Sequence, residues 1–270
     1  MSITLDPGVL AFLSLAGGLY LRAVLVLGRR GYRVPGGQQV AWWGGLALMV
    51  VGLVSPIDGL GEELLSAHMA QHLIIADFAA PLLLMGIRSP VYAFLLPRAM
   101  LVPLARRRGL RRVFRKLRQP LVAVPLWVVI LYGWHFAFAF EGAMGNQLVH
   151  VLQHQSFVAG ALLVWWSVIE PKRRRLPGDL WKVPYLLGAR LPGMLLGMNF
   201  LIMGSAAYGD AYGGLPREHG LSPVADQQVA GAMMMVVDLA VMLFALGFFF
   251  WRSGQEHDRA ERTAAAAQLR

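Results

Sequence analysis

Residues 64–87 read LLSAHMAQHLIIADFAAPLLLMGI, and this stretch decides the class of fold. Apart from two histidines, its only ionisable side chain is that of Asp77, and most of the remainder is apolar. A helix needs about 20 apolar residues to cross the hydrocarbon core of a bilayer, because each residue adds about 1.5 Å. The stretch is therefore predicted to be a transmembrane helix that carries two histidines near one end.

Comparable apolar stretches lie on both sides of this one. We predict an all-α integral membrane protein with seven transmembrane helices, at about 8–28, 39–57, 64–87, 120–140, 147–169, 183–206 and 226–251. The segment 91–105 is shorter and is broken by Pro97 and Pro103, which favours an interfacial or re-entrant piece. We expect a single transmembrane domain over 1–251 and a charged, flexible cytoplasmic tail over 252–270.

The composition agrees with a lipid environment. Hydrophobic residues make up 57% of the chain and charged residues 15%, whereas soluble proteins carry about 25% charged residues. Cysteine is absent, which excludes disulfides, thiolate metal sites and catalytic thiols. The net charge of +10 lies in blocks between apolar runs, which argues against a nucleic-acid partner. Asp6 rather than a basic segment precedes the first stretch, so we expect a permanent helix and not a signal peptide.

Basic residues predict the orientation, because Lys and Arg in short loops stay on the cytoplasmic side. The odd-numbered connections and the tail carry almost all of them, with long basic runs at 106–118 and 172–175. The even-numbered connections are acidic, and Arg217 is their only basic residue. We therefore expect the amino terminus outside and the carboxyl terminus in the cytoplasm. Arg22 and Arg190 lie near cytoplasmic helix ends, and their side chains are expected to snorkel to the interface.

This topology places five histidines in one layer near the outer face. They come from the start of the third helix, the end of the fourth and the start of the fifth, and they are His68, His72, His135, His150 and His154. Within two pairs the spacing is four residues, which puts both imidazoles on one helix face. His219 falls in the last outer loop, and His257 alone is cytoplasmic.

Two facing histidine pairs can supply several nitrogen ligands to one metal ion, and imidazole together with thioether favours copper in a chain without cysteine. We predict Cu(I) bound by the two pairs, with His135 completing or supporting the set. Methionines on the sixth and seventh helices, including Met198, are expected on the same side. The residues expected next to the ligands are Gln71, Gln153, Asp226, Met69 and Met233.

Simpler explanations compete with this one. Each histidine could instead hydrogen-bond to a neighbouring helix, and the methionines could only pack. Asp77 and Asp238 fall near mid-membrane, where a carboxylate is usually paired, neutral or part of a proton path. Helix geometry turns Asp77 away from the face of His72, so it is not counted as a ligand. Paired glycines, including 193 and 197, are expected to mark close helix contacts.

The ordered motifs resemble the CtaG-type cytochrome c oxidase assembly factors. They extend from the second to the seventh predicted helix, and they are HMAQHL at 68–73, APLLLMG at 80–86, WH at 134–135, HVLQH at 150–154 with Phe157, and DQQ at 226–228 with AG at 230–231. This family is the multi-pass bacterial one, and not the single-span copper chaperone of the same name, which uses cysteines.

The resemblance implies a multi-pass protein of the bacterial plasma (inner) membrane that is not an enzyme. It implies a role in maturing a haem-copper oxidase, by placing copper in subunit I, with an extracytoplasmic or periplasmic copper chaperone as a further partner. Three alternatives stay open: a haem protein with two axial histidines, a proton-coupled metal transporter using Asp77 and Asp238, and a scaffold that handles no copper. No nucleotide fingerprint or Ser and Thr nucleophile arrangement is found.

Overall fold

The computed structural model describes residues 7–171, 179–212 and 220–268, and within these ranges all regular structure is helical. The helices are α1 Pro7–Arg29, α2 Gly36–Val54, α3 Pro56–Glu63, α4 Leu65–Leu73, a π segment Ile74–Ala79, α5 Ala80–Gly86, α6 Val91–Phe94, α7 Arg98–Arg106, α8 Arg108–Leu117, α9 Pro120–His135, α10 Ala137–Met144, α11 Gln147–Ile169, α12 Lys182–Ile202, α13 Gly209–Tyr212 and α14 Pro223–Gln268.

Six helical stretches of the described chain are long and apolar enough to cross a bilayer. They are α1, α2, the continuous stretch Leu65–Gly86, α11, α12 and α14 up to Arg259. A seventh is obtained if α8 and α9, which are bent by 76° relative to each other, count as one span. The all-helical membrane fold predicted from the sequence is therefore confirmed, with six to seven candidate spans.

Two predicted helix ends differ from the structure by five residues or more. The span predicted over 120–140 is wrong at its second end, because the helix stops at His135. Phe136 has an extended backbone, and its carbonyl accepts the first hydrogen bonds of α10, from the N–H groups of Ala139 and Phe140. The last helix does not end at 251 but continues to Gln268. That the segment beyond 251 is a separate flexible tail stays a prediction.

A wide helical turn interrupts the third span. Pro81 lacks the N–H that would bond to the carbonyl of Asp77, and its ring crowds that carbonyl. The N–H of Ala80 bonds instead to the carbonyl of Ile75, five residues earlier, which is the pattern of a π turn. The π segment turns Asp77 into the interior, where 6% of its surface is exposed.

The segment predicted to be interfacial forms the two short helices α6 and α7, neither of which is long enough to span a bilayer. The basic helix α8 follows, and its apolar side chains Leu110, Val113 and Phe114 are all exposed. The basic residues at 172–175, Arg217 and His219 lie outside the described residues.

Close backbone approaches hold the spans together. A Cβ at Gly197 on α12 would lie 2.7 Å from the carbonyl oxygen of Gly231 on α14, and one at Gly86 would lie 2.6 Å from the Cβ of Trp42 on α2. Gly193 likewise abuts Asp238 of α14, so the predicted contact at 193 and 197 is confirmed. At one end of the bundle, the ends of α9 and α12 lie beside the first turns of α4, α11 and α14.

Candidate metal centre

Two histidine pairs on neighbouring helices face each other at this end of the bundle. His68 and His72 are on α4, and His150 and His154 are on α11. The ring centroids within the pairs are 4.4 and 4.3 Å apart. Between the helices, the centroids of His72 and His154 are 5.1 Å apart and those of His68 and His150 are 5.4 Å apart. The two pairs therefore form one cluster of imidazoles.

Three of these imidazoles can reach a common point. His68, His72 and His154 each offer a ring nitrogen, and the three nitrogens lie within 4.8 Å of one another. The three residues are 1%, 6% and 6% exposed. His150 is only half-buried, and its ring packs against those of His68 and His154. The centre of the cluster is thus a buried three-histidine group, with His150 on its more exposed side.

Several ring nitrogens of this group are buried and form no hydrogen bond to the surrounding described residues. Among the described residues, neither ring nitrogen of His72 nor the Nε2 atom of His154 has a hydrogen-bond partner. Most buried polar atoms in proteins are hydrogen-bonded, so such nitrogens call for an explanation. The walls are aromatic: the ring centroid of Phe157 is 4.4 Å from that of His72, and the centroid of Phe140 is 5.0 Å from that of His68. Lone pairs in an apolar enclosure are suited to a metal ion.

His135 is not brought into the three-histidine group. It lies at the end of α9, where its ring packs against Phe157 and Phe200 at centroid distances of 6.1 and 5.9 Å. Its Nδ1 is 2.6 Å from the carbonyl oxygen of Leu131, so the proton is on Nδ1. The remaining Nε2 has no hydrogen-bond partner among the described residues. His135 is therefore a neighbour of the group, separated from His72 by the ring that contacts both.

The predicted supporting residues are placed unequally. Gln71, Gln153 and Met69 are almost fully buried on the two histidine-bearing helices, as expected of residues next to a site. On α14 it is Met234, and not the predicted Met233, that lines the cavity beside Met69. The expectation that Met198 faces the histidines is wrong, because that residue is 47% exposed. The face of α12 that packs on α14 is occupied by glycines, and Met198 is turned outward.

The Asp226 carboxylate binds the beginning of α4 and not a histidine side chain. Its carboxylate oxygens accept hydrogen bonds from the N–H groups of Leu65 and Ser66, at 2.6 and 3.1 Å. These are N–H groups at the beginning of α4, where an acidic group is favourable. Asp226 therefore fixes the start of the helix that carries His68 and His72 to the start of α14.

Residues in and next to the connection between α12 and α14 also hold the site, and the sequence did not predict the contacts that they make. The Tyr208 hydroxyl donates to the carbonyl of His135 at 3.0 Å, and its ring stacks on Phe140 at 4.0 Å. The Tyr212 hydroxyl donates to the carbonyl of Gly61 at 2.8 Å. Gln227 accepts from the N–H of Ala207 at 2.7 Å. For Gln227 the sequence signal was the DQQ motif at 226–228, and for the two tyrosines it was only the presence of aromatic residues between two predicted spans.

A buried ion-pair network lies deeper in the same bundle. Nη1 of Arg190 contacts Oδ1 of both Asp77 and Asp238, and all three residues are at most 6% exposed. The expectation that Arg190 snorkels to the interface is wrong. The π segment and α14 place two carboxylates beside it, and Trp165 covers its guanidinium at 5.2 Å. Asp77 is engaged here, in agreement with its exclusion from the ligand set.

One cavity of about 40 Å³ joins the two groups of polar residues. It is lined by His72 and His135, and also by Asp77, Arg190 and Asp238. A cavity of this size has the volume of a few water molecules. The histidine cluster and the ion-pair network are therefore neighbours across one small cavity.

Comparison with known proteins agrees with these features. The sequence model of the cytochrome c oxidase caa3 assembly factor family matches residues 18–255. This range includes every histidine of the cluster, Asp226 and the three members of the ion-pair network. No solved structure matches the chain.

Relatives occur among mycobacterial proteins without assigned function. The chain is 27% identical over 226 residues to an uncharacterised protein of Mycobacterium bovis and to one of Mycobacterium tuberculosis, which covers 79% of this chain and 33% of each relative. It is 25% identical over 258 residues to an uncharacterised protein of Mycobacterium leprae, covering 90% of this chain and 38% of the relative. The chain thus spans about a third of the length of these relatives. From the family match over most of its length, the chain belongs to the cytochrome c oxidase caa3 assembly factor family.

Proposed function

We propose that the protein is a non-enzymatic assembly factor of the bacterial plasma membrane that binds Cu(I) near the outer face and passes it to subunit I of a haem-copper oxidase. The observation that carries the proposal is the buried group of His68, His72 and His154, whose ring nitrogens lie within 4.8 Å of one another. Copper is the cargo of this protein, received from an extracytoplasmic chaperone and given up again.

The donor set suits Cu(I) better than a divalent ion. Three neutral imidazoles bring no negative charge, and a divalent ion among them would leave two positive charges in an apolar enclosure. A monovalent ion halves that charge. Imidazole is a good copper ligand, and the thioether of Met69, 1% exposed on the same helix, is a soft donor of the kind that favours Cu(I).

The position of the cluster also suits lateral transfer. His150 is half-buried, and on the same helix Leu148 and Leu152 are 81% and 59% exposed. By helix geometry these two leucines lie on the face of α11 that points away from His150, where they can meet lipid or another membrane protein. A partner that packs beside His150 would meet the more exposed side of the cluster.

Metal analysis of the purified protein tests the site. Protein purified with a reductant from copper-supplied cells is expected to contain copper in near-equal amount, and His72→Ala combined with His154→Ala is expected to abolish it. His257→Ala is the matched control, because His257 is exposed and pairs with Glu261 on α14, far along the chain from the cluster. His72→Asn, which keeps a polar side chain, guards against a simple loss of folding, and helix content by circular dichroism reports on folding. Wild-type copper content in the folded double variant would refute the site.

The same variants separate copper delivery from a scaffold role. In cells that carry only the double variant, the oxidase protein is expected to be present but deficient in copper. A normally metallated oxidase would favour the scaffold. A Soret band in the purified wild-type protein would favour haem binding instead. The structure leaves little room for a haem, because the ring centroids of Phe157 and Phe140 lie 4.4 and 5.0 Å from those of His72 and His68.

A further inference from the structure

The ion-pair network joins one positive group to two negative ones. Arg190 contacts Oδ1 of Asp77 and lies 3.2 Å from Oδ1 of Asp238. If both carboxyl groups are ionised, the network carries a net charge of −1. A net charge inside a membrane bundle is costly unless it is compensated.

The neighbouring elements offer no further fixed cation in the part of the chain that the structure describes. Helix α2, which packs on the π segment, has no ionisable side chain. On the other sides, α9 contributes His135, α4 contributes His72, and α11 covers the guanidinium with Trp165. Compensation must therefore come from a proton on one carboxyl group or from a cation that enters nearby.

The structure has room for the proton at one oxygen. Oδ2 of Asp238 is not the oxygen that contacts Arg190, and it lies against Gly193 of α12. A Cβ at position 193 would overlap this oxygen, so the glycine makes the space for it. Asp238 also lines the cavity, so its carboxyl group faces the space that it shares with His72.

The place for the cation is the histidine cluster across the same cavity. His72 lines this cavity, and Asp77 follows it by five residues on the same span, about 7 Å along the helix axis. Opposite charges on residues that line one small cavity attract strongly where water is scarce. A single positive charge among the three imidazoles would balance the single negative charge of the ionised network.

We infer that this protein exchanges Cu(I) for a proton: when the ion binds to the histidine group, the Asp77–Asp238 pair releases one proton, and the pair takes a proton up when the ion leaves. The exchange is electroneutral and involves no redox step, since one H⁺ goes to solvent for each Cu⁺ that enters. The inference rests on the proposed function and adds to it the means by which pH controls loading and release.

The pH dependence follows from the exchange. Metal binding that releases one proton becomes about tenfold tighter for each unit of rise in pH, as long as the metal-free pair holds its proton. A more acidic environment therefore favours release of Cu(I), and a more alkaline one favours loading.

Proton release measured together with copper binding tests the inference. The purified protein is titrated anaerobically with Cu(I) from a chromogenic chelator, in weakly buffered solution with a pH indicator. The wild type is expected to release about one proton per Cu(I) bound, with a tenfold change in Kd per pH unit. Asp238→Asn is expected to bind Cu(I) with no proton release and with a Kd that no longer depends on pH. This variant keeps the Asp77–Arg190 pair and has the charge of the protonated network, so it is expected to fold.

Asp258→Asn is the matched control, because Asp258 is an exposed aspartate of the same helix. It should behave as the wild type does. Copper binding by the wild type without proton release, or equal release by Asp238→Asn, would overturn the exchange while leaving the copper site intact. Absence of copper binding by the wild type would instead defeat the proposed function, and the exchange with it.

Discussion

Asp226 shows how a residue outside the ligand set can control the site. Its carboxylate accepts from the N–H groups of Leu65 and Ser66, three and two residues before His68. Leu65 and Ser66 are 3% and 9% exposed, so no bulk water replaces the carboxylate if it is removed. The position of α4, and with it the distance between the two histidine pairs, depends on this contact.

We expect Asp226→Ala to lower the free energy of unfolding by about 1–3 kcal/mol, because it leaves buried N–H groups without an acceptor. Cu(I) affinity should fall as well, although no ligand is changed. Asp226→Asn keeps one acceptor oxygen, so its stability and Cu(I) affinity should lie between those of the wild type and of Asp226→Ala. Unfolding in detergent and a Cu(I) competition titration measure both effects, with Asp258→Ala as the control. Wild-type stability of Asp226→Ala would show that the cap is dispensable.

At the residue scale, the sequence predicted the two histidine pairs and placed Asp226 near them, but it did not predict what Asp226 contacts. A spacing of four residues determines that His68 and His72 share a face, whatever the rest of the fold. The role of Asp226 depends on how the first turns of α4 and α14 meet, and no local pattern encodes that. The position of the His135 side chain depends on the extended backbone at Phe136, because α9 ends there, earlier than the apolar run predicts.

Among the helices, the contact between α12 and α14 is central. It places Arg190 next to Asp238, and it positions α14 so that Asp226 lies level with the beginning of α4. Gly197 and Gly231 allow the two backbones to approach, and a Cβ at Gly197 would also lie 3.1 Å from Met235. On the same helix, Gly188 has nothing within 4 Å of such a Cβ. The two glycines of α12 therefore form a matched pair for mutation.

Gly197→Ala is expected to destabilise the protein by about 1–3 kcal/mol, because the added methyl group forces two packed backbones apart. Gly188→Ala should be neutral or slightly stabilising, since it only restricts the unfolded chain in open space. Thermal unfolding of the two variants in the same detergent makes the comparison. Equal melting temperatures would mean that the helices are not as closely packed as the structure has them.

The presence of the spans was predictable because apolar length is a physical requirement of the bilayer, whereas their ends and interruptions were not. The π segment follows from Pro81, but a proline in a span predicts a kink and not which residue is turned inward. The inward turn of Asp77 is what allows the pair with Arg190. Arg190 lies near a predicted helix end, and for this reason it was assigned to the interface. Its actual partners, Asp77 and Asp238, lie on two other helices.

For the whole molecule, the orientation in the membrane decides what the histidine cluster can do. The basic helix α8, with Arg108, Arg111, Arg112, Arg115 and Lys116, is predicted to lie on the cytoplasmic side, and the beginning of α4 on the opposite side. The structure places the histidine cluster at the end of the bundle where α4 and α11 begin. Delivery to an extracytoplasmic copper site requires that this end face outward.

The absence of native cysteine allows a direct measurement of orientation. Gly109 on α8 and Gly142 on α10 are both exposed, and a Cβ at either meets nothing within 4 Å, so a single cysteine at each is expected to be harmless. In intact spheroplasts, a membrane-impermeant maleimide should label Gly142→Cys and should label Gly109→Cys only after the membrane is opened. The positive-inside distribution gives this result, because the long basic run at 106–118 resists transfer across the membrane. The reverse labelling pattern would put the three-histidine group on the cytoplasmic side, where it could take copper from the cytoplasm but could not deliver it at the outer face.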